Sequence, residues 1–323
     1  MIKVLIIGDI MLDHYLFGEC CRISPEAPVP IVNIKKEEWR LGGAANVANN
    51  LVALNTNPTL IGIYGNDAGG DQLKLLLSNN KLRKDRLYKS NNRLTIVKSR
   101  VLVGSHQMIR LDKENISLLS NEEEKEVLDI FFEEVENADA VLVSDYNKGL
   151  LTESLLKSVF ESCSRLNIPS ILDPKSNDFS KYKGATFIKP NRKEAEQAAG
   201  IKIQDKRSLQ IASETIKKIT CAKAVITTLS EDGMGLYMND QLSIIPTKAQ
   251  KVFDVTGAGD TCLAAFAYEY MLTNDANLAC EFANDAAAVV VAKVGSATAS
   301  IEEIDRIRNG VYNYESNNLQ TGS

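Results

Sequence analysis

Short apolar runs alternate with longer segments of helical spacing along most of this chain. The alternation predicts an α/β fold in which a central, mostly parallel sheet carries helices on both faces. The helical segments place apolar residues three or four positions apart and cover 43–54, 70–79, 121–137, 152–166 and 192–199. The apolar runs, rich in Val, Ile and Leu, are KVLIIGD (3–9), PTLIGIYG (58–65), AVLVSDY (140–146), PSILDPK (169–175), ATFIKPN (185–191) and KAVITTLS (223–230).

Two segments, 17–43 and 93–113, depart from this pattern because they alternate apolar and polar residues without a helical stretch between strands. We expect them to form a small β layer from two distant pieces of chain, with lid segments at about 14–40 and 93–112. Such a layer would act as a lid over the strand ends and exclude water, or would form a dimer contact. A simple extension of the sheet edge is the less favoured alternative.

Polar residues stand where the predicted strands end. In parallel sheets with helices on both faces, ligands bind at the carboxyl ends of the strands. We therefore predict one shared site that collects these residues. They are Asp9, Asp145, Asp173, Asn191 and Thr228.

The run DVTGAGDT (254–261) lies between a strand-like stretch and an apolar helical stretch, 262–272. The amides of Gly257, Ala258 and Gly259 would lie unobstructed at a helix N-terminus, where an anion such as a transferring phosphoryl group is stabilised. The Asp260 carboxylate would repel a resting phosphate, so we expect it to accept a proton from an attacking hydroxyl. The alternative is an ordinary glycine-rich turn with an aspartate helix cap.

Composition narrows the classes of protein. The chain has 323 residues, 44% of them hydrophobic and 24% charged, which is typical of one large globular domain. A net charge of -5 without a basic stripe argues against nucleic acid as a partner.

No apolar run is long enough for a membrane span, and the N-terminus turns acidic before a signal-peptide pattern is complete, so we expect a cytoplasmic location. The six cysteines form no CxxC pair, which favours reduced thiols.

The motif FDVTGAGDT, together with GGAANVANNLVALN, resembles the ribokinase (PfkB-type) family of carbohydrate kinases over nearly the whole chain. Within that family, seven motifs in order are similar to the kinase domain of bacterial heptose 7-phosphate kinases of lipopolysaccharide precursor synthesis. They are GDIMLDHY, RISPEAPVPIV, GGAANVA, MIRLD, SDYNKG, DPKSNDFSKYKGAT and DVTGAGDT.

The resemblance implies a ribokinase-like fold, one kinase domain over 1–315, and ATP-dependent phosphorylation of the C1 hydroxyl of D-glycero-D-manno-heptose 7-phosphate. Bifunctional members carry a further nucleotidyltransferase domain, and we expect this chain to be a kinase-only version with a disordered tail at 316–323. The alternatives are a kinase of the same family for fructose, ribose or a hexose phosphate, and a non-catalytic sugar sensor.

The resemblance implies roles for individual residues, beginning with those that would contact the sugar and its reacting hydroxyl. Asp260 resembles the general base, and the amides of Gly257, Ala258 and Gly259 resemble the anion hole. The residues implied to bind the sugar hydroxyls are Asp13, Gly42, Gly43 and Asn46, with Asp9 and Asp145 as further candidates. Asp9 and Asp13 could instead have only a structural role, at the strand end and in the turn.

The nucleotide side follows from two further motifs. Asn191 and Glu194 in KPNRKE resemble the family's Asn-x-x-Glu element, which implies Mg²⁺ held through water, although the same spacing also fits a helix capping box. The motif TTLSEDGMG implies ATP contacts near the phosphates and ribose. These nucleotide contacts are Thr228, Ser230 and Gly233, with Asn284 beside the adenine or simply in the core.

Departures from the family pattern concern the substrate and a cation. Ala44 stands where pentose kinases of the family have lysine, which implies a different sugar. A sugar phosphate needs cationic partners, for which Arg100, Arg110 and Lys175 are candidates, unless they only serve surface solubility. The family's monovalent-cation pattern is matched in part, which makes K⁺ a candidate ion, and the resemblance also implies a homodimer through the lid. The matching residues are Asp254, Thr256 and Gly295.

Overall fold

The computed structural model describes residues 2–104, 106–248, 252–293 and 295–310. The predicted disordered tail, 316–323, lies outside these residues. The described chain forms two sheets, one large and one small, with helices packed on the large one.

The large sheet has nine strands, and all six strands predicted from apolar runs belong to it. Its strands are β1 (Val4–Gly8), β4 (Thr59–Gly65), β5 (Leu87–Ser90), β8 (Ala140–Ser144), β9 (Ser170–Asp173), β10 (Phe187–Ile188), β11 (Ala224–Thr228), β12 (Met234–Met238) and β13 (Gln241–Ile245). Their order is β13-β12-β11-β10-β9-β8-β1-β4-β5, and the strands from β11 to β5 run parallel. An antiparallel pair, β12 and β13, closes one edge and was not predicted.

The predicted helical segments all form helices, with small shifts at the ends, and further helices lie outside them. Their ranges are α1 (Ala44–Ala53), α2 (Ala68–Asn79), α3 (Asn121–Val135), α4 (Glu153–Leu166), α5 (Arg192–Ala199), α6 (Lys206–Thr220), α7 (Ala258–Thr273), α8 (Ala276–Val290) and α9 (Ile301–Arg308). Side-chain caps begin several of them, including a capping box at Ser120 and a Thr152 cap on the Leu155 amide.

The core has two halves, one on each face of the large sheet. Successive residues of β1 point to opposite faces, so Ile6 packs on the side of α1, α7 and α8, whereas Leu5 packs on the side of α3, α4 and α6. Phe187 and Phe266 make an edge-to-face contact on the first side, with ring centres 5.3 Å apart. Because the large sheet is buried on both faces, its strands are continuous apolar runs in the sequence.

The small sheet confirms the predicted β layer. It is formed by β2 (Ile10–Ile23), β3 (Pro30–Gly43), β6 (Ile96–Val103) and β7 (His106–Lys113), in the order β3-β2-β6-β7. Because it is separate from the large sheet, the alternative of an edge extension is wrong. We call this sheet the lid layer, without implying a motion.

The lid layer is attached directly to strand and helix ends of the large sheet. β2 follows β1 after one residue, and β3 runs straight into α1. Gly43 makes this junction with φ of 57°, and a Cβ atom there would lie 2.4 Å from the carbonyl oxygen of Asp9. The junction therefore brings the end of the lid layer against the carboxyl end of β1.

The strand-like stretch expected before DVTGAGDT includes 249–251, which lie outside the described residues, and the described residues 252–257 form a loop and a turn. The helix after it begins earlier than its apolar residues suggest, at Ala258, so that Asp260 lies in its first turn. In the described part of the chain, none of the helices combines the length and apolarity that a membrane crossing requires.

Candidate active site

Asp260 lies at the centre of a buried polar cluster at the start of α7. Gly257 precedes the helix with φ of 80°, and no side chain caps the helix start. Asn46 Nδ2 donates to Asp260 Oδ2 at 2.8 Å, and the Tyr146 hydroxyl donates to Asp260 Oδ1 at 2.7 Å. Each carboxylate oxygen thus receives one hydrogen bond, which fixes the plane of the carboxyl group.

Burial raises the pKa of Asp260 to about 7, because the ionised carboxylate loses its hydration. The hydrogen bonds from Asn46 and Tyr146 act in the opposite direction, and so does the nearby Lys189 ammonium, whereas Asp173 adds to the rise. A carboxylate with a pKa near 7 is suited to general-base chemistry at neutral pH.

The glycine turn offers backbone amides at the helix start, as the sequence predicts. The Ala258 amide already donates to the carbonyl oxygen of Val255 at 3.2 Å, so an anion-binding role rests on the amides of Gly257 and Gly259. The helix dipole favours negative charge at the same place.

A polar seam between α1 and α7 supports the cluster. Asn50 Nδ2 donates to the backbone oxygen of Asn46 at 2.9 Å, and the Thr261 hydroxyl donates to Asn50 Oδ1 at 2.8 Å. All of these side chains are buried. The seam fixes Asn46 relative to Asp260, because a buried polar network with paired donors and acceptors is rigid.

Asp13 connects the lid layer to the far end of the chain. Its Oδ1 lies 2.5 Å from Arg100 Nη1, and its Oδ2 accepts from the Ser296 hydroxyl at 3.1 Å. Gly42 lies against the same carboxylate, and a Cβ atom there would be 2.8 Å from Asp13 Oδ2. Asp13 and Gly42 therefore contact each other within the lid layer, and their contact with a sugar, like that of Gly43 and Asn46, stays a prediction.

The other two carboxylates expected on the sugar side already have protein partners. Asp9 Oδ2 accepts from the amides of Tyr146 and Lys148 at 2.9 and 3.0 Å, and Asp145 Oδ2 lies 2.6 Å from the Tyr182 hydroxyl and 2.7 Å from Lys181 Nζ. Burial raises the pKa of Asp9 to about 6. These contacts favour a role in holding the loop after β8, and sugar binding by either residue stays a prediction.

The candidate phosphate-binding cations lie in two different places. Arg100 and Arg110 face each other across β6 and β7, and Arg110 is half-exposed with Asp112 at 2.9 Å. Lys175 Nζ lies 2.7 Å from Glu194 Oε1 instead. Only the two arginines therefore belong to the lid layer.

Asn191 and Glu194 form the capping box that the alternative interpretation predicts. The Asn191 side chain accepts from the Glu194 amide, and Glu194 Oε2 accepts from the Asn191 amide, both at 2.9 Å. Among the residues that the structure describes, no three His, Cys, Asp or Glu side chains gather as metal ligands. The capping box accounts for the contacts between the two residues, and a role in holding Mg²⁺ through water stays a prediction.

The nucleotide candidates lie next to that cap or against the loop after β13. Thr228 forms a parallel bridge with Asn191, and Ser230 and Gly233 have φ of 56° and 86° in the tight turn that follows. Asn284 Nδ2 donates to the backbone oxygen of Pro246 at 2.7 Å. This bond gives Asn284 a structural function, and its contact with adenine stays a prediction.

The candidate cation loop is held together by Asp254. Its Oδ1 accepts from the Thr256 amide at 2.9 Å, and its Oδ2 accepts from the Gly295 amide at 2.8 Å. The three predicted residues thus meet, although both carboxylate oxygens are engaged by amides. A bound potassium ion stays a prediction.

The profile of the family described as pfkB family carbohydrate kinase matches residues 1–304. This chain belongs to the pfkB family. The bifunctional protein HldE of Sulfurimonas denitrificans is 46% identical over 303 residues, which cover 94% of this chain and 63% of that protein. HldE of Aliarcobacter butzleri is 41% identical over 317 residues, which cover 98% and 66%. The chain thus spans just under two thirds of these relatives.

Solved structures of other proteins confirm the ribokinase-like fold of this pfkB chain. Ribokinase of Arabidopsis thaliana, complexed with ribose and ATP, has a TM-score of 0.74 at 20% identity and covers 95% of this chain and 99% of its own. Phosphofructokinase-2 of Escherichia coli, in complex with potassium, has a TM-score of 0.79 at 18% identity, with 96% and 99% covered. At these identities the likeness concerns the fold alone.

Two residues of this pfkB site were missed from the sequence. The strand-end pattern favours Asp145 over its neighbour Tyr146, although both follow the same strand. Lys189 is buried and lies 3.0 Å from Asp173, and both groups border the glycine turn, since a Cβ atom on Gly259 would lie within 4 Å of each. Burial would lower the pKa of Lys189, but the Asp173 carboxylate outweighs it and holds that pKa above its usual value. The only signal in the sequence was a lysine directly after an apolar strand.

Proposed function

We propose that this chain is an ATP-dependent kinase that phosphorylates the C1 hydroxyl of D-glycero-D-manno-heptose 7-phosphate and yields heptose 1,7-bisphosphate. The observation that carries the proposal is the Asp260 carboxylate, buried in the first turn of α7 beside the glycine turn and held by Asn46 and Tyr146. A base and an anion-binding helix start within one turn are what phosphoryl transfer from ATP to a hydroxyl requires.

In the proposed reaction, Asp260 removes the proton of the C1 hydroxyl as that oxygen attacks the γ-phosphorus of ATP in line. The new O–P bond forms while the bond to the ADP oxygen breaks. The amides of Gly257 and Gly259 stabilise the charge on the transferring group. Asn191 and Glu194 would hold Mg²⁺ through water, and the ion would supply neutralisation of phosphate charge.

The choice of sugar rests on the motifs GDIMLD, RISPEAPVP and DPK and on the similarity to the HldE proteins. A 7-phosphate needs cationic partners, and Arg100 and Arg110, which lie opposite each other in the lid layer, are our candidates for them, although Arg100 also pairs with Asp13. Lys175 is a further candidate for this phosphate, although it pairs with Glu194 in the structure. We further propose a cytoplasmic enzyme that uses potassium at the Asp254 loop.

We also propose that the enzyme is a homodimer through the lid layer. The layer exposes apolar side chains that a second copy would cover. These are Ile34, Met108, Ile109 and Leu111.

The decisive experiment is a coupled ADP-release assay with heptose 7-phosphate, fructose 6-phosphate, fructose and ribose. We expect turnover with heptose 7-phosphate and a kcat/KM that exceeds those of the other sugars by at least tenfold. Asp260→Asn should retain ATP binding and lose about three orders of magnitude in turnover. Preference for another sugar would replace the substrate assignment, whereas an inactive wild type that still binds sugar would indicate a sensor.

A further inference from the structure

The loop after β8 delivers a tyrosine hydroxyl directly to the proposed base. Tyr146 is two residues past the end of β8, and its hydroxyl reaches Asp260 Oδ1 at 2.7 Å across 114 positions of sequence. Asn46 occupies the other carboxylate oxygen at 2.8 Å. Rotation of the carboxyl group would break both bonds, so its orientation is fixed by these two donors.

The backbone of Tyr146 is held as firmly as its side chain. The amides of Tyr146, Lys148 and Leu150 all point to the Asp9 carboxylate, at 2.9, 3.0 and 3.4 Å. The amide of Asp9 itself donates to the backbone oxygen of Ser144 at 3.1 Å. The loop is thus anchored to the ends of β1 and β8, and it presents the phenol in one position.

We propose that Tyr146 is a positioning residue for phosphoryl transfer, whose hydroxyl orients the Asp260 carboxylate and keeps it ionised to accept the substrate proton. The inference rests on the proposed function, since it assigns a task to a residue that acts through the proposed base. It also assigns a task to Asp9, whose carboxylate holds the loop that carries Tyr146.

The physical reason is that Asp260 is buried and needs donors to remain charged. A hydrogen bond to the ionised form of a carboxyl group lowers its pKa, and burial raises it. The charged groups that face Asp260 are Asp173, which raises its pKa, and Lys189, which lowers it. Without the phenol, only Asn46 and Lys189 would lower the Asp260 pKa against burial and Asp173. The pKa would therefore rise, and the protonated, inactive form of Asp260 would persist to higher pH.

The test is a titration of the Asp260 carboxyl carbon by NMR in protein labelled with [4-¹³C]aspartate, with the resonance assigned by its loss in Asp260→Asn. Tyr146→Phe keeps the ring and removes the hydroxyl, and we expect the titration midpoint to rise by about one pH unit. Site-specific 3-fluorotyrosine at position 146, a more acidic phenol and a stronger donor, should lower it. Tyr237→Phe is the matched control, since its buried ring also carries a hydroxyl near an aspartate, Asp240, at 3.5 Å.

The same variants are then assayed for ADP release against pH. We expect the acid limb of kcat for Tyr146→Phe to move to higher pH by the same amount, with KM for ATP unchanged and Tyr237→Phe like the wild type. An unchanged midpoint, or a raised midpoint with an unmoved acid limb, overturns the inference. A wild type inactive toward every sugar overturns the proposed function instead, and the carboxyl titration then decides on its own whether Tyr146 keeps Asp260 ionised.

Discussion

Asn46 Nδ2 donates a hydrogen bond of 2.8 Å to Asp260 Oδ2, although 214 positions of sequence separate the two residues. Asn46 belongs to α1, which continues the lid layer, and Asp260 belongs to α7, which begins at the glycine turn. The bond therefore couples the element that carries the candidate sugar contacts to the element that carries the proposed base. A displacement of either helix start would separate the base from the hydroxyl it is to deprotonate.

Replacement of Asn46 should test this coupling. In Asn46→Ala, Asp260 loses a buried donor, so we expect a fall in kcat of about 10- to 100-fold and a free energy of unfolding lower by about 1 to 3 kcal/mol. Kinetics and urea denaturation measure the two effects. Asn49→Ala, on the same helix but only partly buried, is the control and should leave both unchanged. Equal behaviour of the two variants would remove Asn46 from the site.

The glycine turn can be tested by steric means. A Cβ atom on Gly257 would lie 2.9 Å from Asn46 Nδ2, and the backbone there has φ of 80°. Gly257→Ala should therefore combine backbone strain of about 1 kcal/mol with a displaced Asn46 and a large loss of kcat. Gly200→Ala is matched in backbone conformation, with φ of 68°, but its Cβ would have no neighbour within 4 Å. We expect Gly200→Ala to lose stability alone, and a similar loss of kcat in both would contradict the steric argument.

Glu194 offers a way to separate a helix cap from a metal site. Glutamine also completes a capping box, so Glu194→Gln should fold with nearly unchanged stability but require a several-fold higher Mg²⁺ concentration for half-maximal activity. Glu194→Ala should lose about 1 kcal/mol of stability in addition. Because Glu194 also pairs with Lys175, Lys175→Ala serves as the control for that ion pair. An unchanged Mg²⁺ requirement in Glu194→Gln would leave the residue as a cap only.

Much of the fold could be predicted from the sequence because the large sheet is buried on both faces. Parallel strands in that position are continuous apolar runs, and caps such as Asn191 and Gly200 mark the ends of α5 at the predicted residues. The edge pair β12 and β13 was not predicted, because β13, QLSII, is short and mostly exposed and has no strong strand pattern.

The site could be predicted only in part. Asp260 belongs to a local sequence motif. The role of Tyr146 depends instead on a contact with a residue 114 positions away, which no spacing in the sequence reveals. Asp9 and Asp145 illustrate the opposite case, since strand-end carboxylates are typical of ligand sites, yet these two are engaged by loop amides, a tyrosine and a lysine. Residue type and position predicted the edge of the sheet where polar side chains gather, but not the protein partners of these two carboxylates.

The raised pKa of Asp260 predicts a gain in stability when the charge is removed. The folded state holds the Asp260 proton up to a pKa of about 7, against a usual value of 3.8, so the contribution of this group to stability falls as the pH rises from about 4 to 7. Asp260→Asn has no charge to bury, so its free energy of unfolding should exceed that of the wild type at pH 8 by on the order of 2 kcal/mol. The difference should shrink towards pH 4, as urea denaturation across this range would show. Asp240→Asn, at an exposed aspartate, is the control. An Asp260→Asn variant less stable than the wild type at pH 8 would contradict the assignment of Asp260 as a buried carboxylate with a raised pKa.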